Sequence, residues 1–67
     1  MNNRLRDLRN RLNLRQEDLA EKAGVSRQTI ISIENGRYNP SLELAYKLAS
    51  VFGLTIEEVF IFEEGGK

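Results

Sequence analysis

The sequence predicts an all-α domain built from five short helices. Three observations carry this expectation. Apolar residues recur at helical spacing in one segment after another. Helix-capping and helix-stopping residues punctuate the chain at Asn13, Gly24, Asn35-Gly36, Asn39-Pro40, Gly53 and Gly65-Gly66. No sustained alternation of apolar and polar residues occurs, so long strands are not expected. The tail Phe60-Ile61-Phe62-Glu63 is the one plausible strand, and it is short.

The first helix is expected from about Asn3 to Leu12, with Leu5, Leu8 and Leu12 on one face and arginines over the rest. The second is expected from Gln16 to Ala23. Leu19, Ala20 and Ala23 form its inner stripe, and Glu17 and Asp18 sit in its first turn, where the helix dipole favours negative charge. Gly24 follows as the residue best suited to a left-handed stop. Ser26 offers a cap hydroxyl to a third helix from Arg27 to about Asn35. Pro40-Ser41 opens a fourth helix, Leu42 to Phe52, with Leu44, Ala45, Leu48 and Phe52 facing inward. Thr55 and Glu58 form a capping box for a fifth helix from Ile56 to about Phe60.

Sixty-seven residues suffice for one small domain, taken as residues 1–67, with a modest core. There is no cysteine, which excludes disulfides, thiolate metal sites and cysteine nucleophiles. There is no histidine, which removes the commonest general base and zinc ligand. Asp18 with Glu21, or Glu57 with Glu58, could be named as carboxylate pairs. The helix dipole explains such acids at helix starts without invoking an enzyme. No cofactor, metal or small-molecule ligand is expected. The longest apolar run, Val59 to Phe62, is too short to span a bilayer. The start, Met1-Asn2-Asn3-Arg4, does not read as a signal peptide, so a cytoplasmic protein with no membrane partner is expected.

The net charge of zero hides an asymmetry. Residues 1–37 hold eight basic and five acidic side chains, net +3, and residues 38–67 hold two basic and five acidic, net −3. Such a split suits a basic working face with an acidic rear, although scatter in a short chain gives the same figures.

The informative stretch is Gln16 to Gly36. Ala20 is small enough for the third helix to approach, Gly24 lets the chain reverse, and Val25, Ile30 and Ile33 anchor the third helix. This is the recipe of a helix-turn-helix over about 16–35. At roughly 100° per residue, Arg27, Gln28, Ile31, Ser32 and Asn35 fall on the outer face of the third helix. That face carries a guanidinium, two amides, a hydroxyl and an isoleucine, and no acid. These groups match base edges: arginine for guanine, glutamine for adenine, an apolar side chain for a thymine methyl.

The pattern Leu14-x-Gln16-Glu17-x-Leu19-Ala20-x-x-x-Gly24-Val25-Ser26-Arg27-Gln28-Thr29-Ile30-x-x-x-Glu34-Asn35-Gly36-x-Tyr38-x-Pro40-Ser41-Leu42 resembles the Cro/C1-type (Xre-like) helix-turn-helix regulators. The resemblance runs from Arg4 to Phe60 and is strongest to short single-domain members such as the cytolysin repressor type. It implies a five-helix, lambda-repressor-like fold with the third helix in the major groove of double-stranded DNA. It implies base contacts from Arg27, Gln28, Ile31 and Ser32. Phosphate contacts would come from Gln16, Ser26, Asn35, Arg37 and Tyr38, and a structural ion pair would join Arg9 to Glu34. Arg4, Arg6 and Arg11 are expected to be solvated. The sequence departs from the family at Arg15, where a helix-capping Ser or Thr is usual; the lost bond costs about 1 kcal/mol. It also departs at Ile31, which is polar in many relatives.

A palindromic operator needs a two-fold reader with its recognition helices about 34 Å apart. A homodimer through residues 54–64 is therefore expected, using Leu54, Ile56, Val59, Ile61 and Phe62 in some combination. A small β-ribbon pairing residues near 60–64 with the N-terminal residues is also compatible with the sequence, which does not set its register. The expected function is repression by occluding a promoter. The competing reading is an antitoxin-like or coactivator-like module that binds a protein through the same fold.

Overall fold

The structure, a computed structural model, describes residues 2–62. Met1 and residues 63–67 lie outside the described residues, so the ends of the expected 1–67 domain fall there, as do Glu63 and Glu64 of the expected dimerisation segment. Five helices form in order: α1 (Leu5–Arg11), α2 (Gln16–Ala23), α3 (Arg27–Glu34), α4 (Leu42–Val51) and α5 (Ile56–Val59). They are framed by β1 (Asn2–Asn3) and β2 (Phe60–Ile61), which pair antiparallel with Asn2 opposite Ile61 and Asn3 opposite Phe60. The expected helices are present, and the short C-terminal strand forms against the N-terminal residues of the same chain.

The caps explain the helix starts. Ser26 Oγ accepts from the Thr29 N–H at 3.2 Å, and Ser41 Oγ from the Leu44 N–H at 3.2 Å. Thr55 and Glu58 exchange both bonds of a capping box, at 2.8 and 3.3 Å. At α2 the arginine cap offers no acceptor, but the reciprocal half of the box survives. The Asp18 carboxylate accepts from the Arg15 N–H at 2.9 Å.

The start of α1 differs from expectation. Asn3 is a strand residue, and its side chain does two jobs. Its Oδ1 accepts from the Leu5 N–H at 3.1 Å, and its Nδ2 donates to the Ile33 carbonyl at 2.8 Å. The Arg4 N–H donates to the Val59 carbonyl at 2.8 Å. Residues 2–4 are thus tied to residues 59–61 and, through Asn3, to the end of α3.

The core comprises Leu5, Leu19, Ala20, Ala23, Ile30, Ile33, Ala45, Leu48, Ala49, Val59 and Phe60, all buried. Leu8, Val25, Leu44, Phe52, Leu54 and Ile56 pack partly buried against it. Leu12 does not complete the α1 stripe; it is 54% exposed. The helix ends at Arg11, Leu12 is its C-cap, and Asn13 turns the chain away with φ 58°. Val59, expected at a dimer interface, is instead fully buried in this chain's own core and has no surface for a partner.

Candidate nucleic-acid interface

The turn between α2 and α3 sets the interface. Gly24 has φ 74°, in the left-handed region that favours glycine. The Val25 N–H then closes onto the Ala20 carbonyl at 3.0 Å. Ala20 and Ala23 present no bulk beyond a methyl, α3 packs against α2, and Ile30 and Ile33 are buried with both alanines in the shared core. With those two side chains inward, the opposite face of α3 is left to solvent. Arg27, Gln28 and Asn35 are exposed there, and Ile31 and Ser32 are half-buried.

The segment after α3 folds back onto the same helix. The Ser32 carbonyl accepts from the Arg37 N–H at 2.9 Å and the Tyr38 N–H at 3.3 Å. Arg37 and Tyr38, both exposed, are thereby held beside the C-terminal half of α3. A small cavity of about 200 Å³ opens between this loop and the start of α3, lined by Ser26, Gln28, Thr29, Ser32 and Tyr38. Four of these five are expected DNA contacts. Thr29 is the addition. It is not among the outer-face residues given by the helical wheel, yet its hydroxyl meets Ser26 Oγ at 3.0 Å and borders the cavity.

A second, larger cleft of about 510 Å³ lies at the start of α2, lined by Arg9, Leu14, Arg15, Gln16, Glu17 and Arg27. It brings Gln16 and Arg27 together from two different helices. Among the described residues, Arg15, Arg27 and Arg37 form no salt bridge, and Glu17 is the one acid lining the cleft with Arg15 and Arg27. The exposed face of α3 adds no negative charge, because its one acid, Glu34, points inward with a side chain at 0% exposure.

Glu34 is paired with Arg9: Nε lies 2.8 Å from Oε2 and Nη2 lies 3.3 Å from Oε1. Arg9 also donates from Nη1 to the Leu14 carbonyl at 3.0 Å. Arg6 is not simply solvated. Its Nε lies 3.6 Å from Glu34 Oε1, and its Nη2 donates to Asn35 Oδ1 at 3.0 Å. The signal for this was the three-residue step from Arg6 to Arg9, which puts both on one side of α1. Gln16 donates from Nε2 to Glu34 Oε1 at 3.3 Å. The expected interface residues Leu54 and Ile56 are half-buried, while Ile61 and Phe62 are 46% and 56% exposed. No described helix is long and apolar enough to cross a membrane.

Comparison with known proteins agrees with this architecture. The helix-turn-helix family model matches residues 5–59. An uncharacterized HTH-type transcriptional regulator of Methanocaldococcus jannaschii is 59% identical over 64 residues, covering 96% of this chain and 97% of that protein. The cryptic phage CTXphi transcriptional repressor RstR of Vibrio cholerae is 39% identical over 56 residues, covering 84% of this chain and 50% of that one. Among solved structures, the restriction-modification controller protein C.AhdI from Aeromonas hydrophila superposes with a TM-score of 0.78 at 38% identity, covering 85% of this chain and 86% of that one. The matched span takes in both helices of the motif, the glycine turn between them and the loop that follows α3. The chain belongs to the Cro/C1-type (Xre-like) helix-turn-helix family, a family of transcriptional regulators with a double-stranded DNA-binding fold and not a class of enzymes.

Proposed function

We propose that the protein is a cytoplasmic transcriptional repressor that binds a palindromic operator as a homodimer. In this reading α3 enters the major groove. Arg27 and Gln28 donate to base edges near its N-terminus, Ser32 follows one turn later, and Ile31 meets a thymine methyl. Gln16 and Ser26 hold phosphates at the start of the motif, and Asn35, Arg37 and Tyr38 hold the backbone beyond it. Phosphate contacts set position and base contacts set sequence.

The observation that carries this reading is the exposed, acid-free face of α3 bordered by two clefts. One cleft holds Gln16 and Arg27, and the other holds Ser26, Gln28, Ser32 and Tyr38. The homodimer is supported by the exposed Ile61 and Phe62 at the end of β2. It is also supported by the small footprint of one such domain, about 600–1,000 Å² for single modules, which is modest for strong specificity. The repressor sign is supported by the name of the RstR relative.

The test is selection of bound duplexes from a random pool, followed by fluorescence titration of the enriched sequence across a salt series. Enrichment of an inverted repeat and a steep fall of affinity with salt are expected. Recovery of no common sequence, with binding indifferent to salt, would contradict the reading.

A further inference from the structure

We infer that Glu34 is a positioning residue for DNA binding: it sorts the side-chain amides of Gln16 and Asn35 so that each keeps a donor available for a phosphate. The inference rests on the DNA-binding reading above and adds to it how the two flanking amides are set before DNA arrives.

A primary amide has two ends of nearly equal shape, one donating and one accepting. A phosphate oxygen only accepts, so the amide must present nitrogen. An ionised carboxylate also only accepts, so it holds an amide by its nitrogen. Gln16 Nε2 donates to Glu34 Oε1 at 3.3 Å, which spends one N–H and leaves the second. Asn35 is sorted in the complementary way. A guanidinium only donates, and Arg6 Nη2 reaches Asn35 Oδ1 at 3.0 Å, so the Asn35 oxygen is taken and its nitrogen is left. Arg6 is held in turn by Glu34, with Nε at 3.6 Å from the same Oε1. One carboxylate thus governs both amides, directly at the start of α2 and through Arg6 at the end of α3.

The charge balance permits an acid here. Glu34 is the one acidic residue of α3, and its side chain has no exposure. The guanidiniums of Arg9 and Arg6 outnumber it, so it adds no net repulsion toward phosphate. Arg9 fixes the carboxylate itself through Nε at 2.8 Å and ties it to the loop before α2 through the Leu14 carbonyl.

A double-mutant cycle of Glu34→Gln and Gln16→Ala, read as affinity for the selected duplex, tests this. Removing the negative charge affects the electrostatics equally in both backgrounds, so the cycle cancels it. The expected result is that Glu34→Gln is roughly tenfold more damaging with Gln16 present than with Gln16→Ala, the scale of one lost hydrogen bond to a charged group. Equal effects in the two backgrounds would overturn the inference, because a purely structural role for Glu34 predicts additivity. A second measurement needs no variant. In the DNA-free wild type, the order parameter of the Gln16 side-chain N–H group is expected near the rigid value of about 0.85, and a value below about 0.6 would overturn it. If the wild type selected no duplex, the proposed function would fail along with this inference. Wild-type binding with an additive cycle would remove the positioning role alone.

Discussion

Replacing Arg9 with methionine should destabilise the domain far more than replacing Arg9 and Glu34 together. The Arg9 side chain is 12% exposed and that of Glu34 is 0% exposed, so the single change strands a carboxylate in the interior. Removing one partner of a buried pair costs about 3–5 kcal/mol. Gln16 and the more exposed Arg6 remain within reach of Glu34, which places the expected loss at the lower end, about 3 kcal/mol. For a chain of 67 residues the total stability is roughly 3–10 kcal/mol, so much of it would be gone. The melting temperature would fall by roughly 12–24 °C. In Arg9→Met/Glu34→Met the stranded charge disappears. The carbonyl of Leu14, a half-buried residue, loses its guanidinium donor. That variant should lie within about 1 kcal/mol of wild type. Thermal and urea unfolding followed by circular dichroism measure both. A double variant as unstable as the single one, or a single variant that melts like wild type, would refute the reasoning.

Four further outcomes follow from the same geometry. Gly24→Ala should lose about 1–2 kcal/mol in urea unfolding, from left-handed strain alone, because nothing lies within 4 Å of an added Cβ. Arg37→Ala should weaken binding evenly across sequences and lower the slope of log affinity against log salt by about 1, whereas Gln28→Ala should cost about 1–3 kcal/mol on the selected site and leave the slope unchanged. Ile61→Asp/Phe62→Asp should sediment as a 7.7 kDa monomer with an unchanged protomer fold, since both side chains are exposed outside the core.

The helices were legible where their starts and stops are written locally. Ser26, Ser41 and the Thr55–Glu58 pair mark starts, and Gly24 and Gly53 mark stops; local hydrogen bonds and φ values decide these without the rest of the fold. The outer face of α3 was legible because Ile30 and Ile33 leave one orientation for the helix. What was not legible depended on distant partners. Asn2 and Asn3 carry no strand signal, and they pair only because Phe60 is anchored in the core. Periodicity kept Leu12 on the α1 stripe, but the helix stopped one residue too soon. Val59 and Ile61 are both β-branched and apolar, and only the fold decides that the first is buried and the second exposed. The role of Arg6 needed the approach of Asn35, 29 positions away in sequence.

Methylation protection of guanine N7, an atom exposed in the major groove, tests the central claim most directly. With the selected duplex bound, the account predicts two clusters of protected guanines, centred about 10 base pairs apart on one side of the helix. Unprotected N7 atoms throughout the bound sequence, or a single isolated cluster, would contradict two α3 helices seated in successive major grooves.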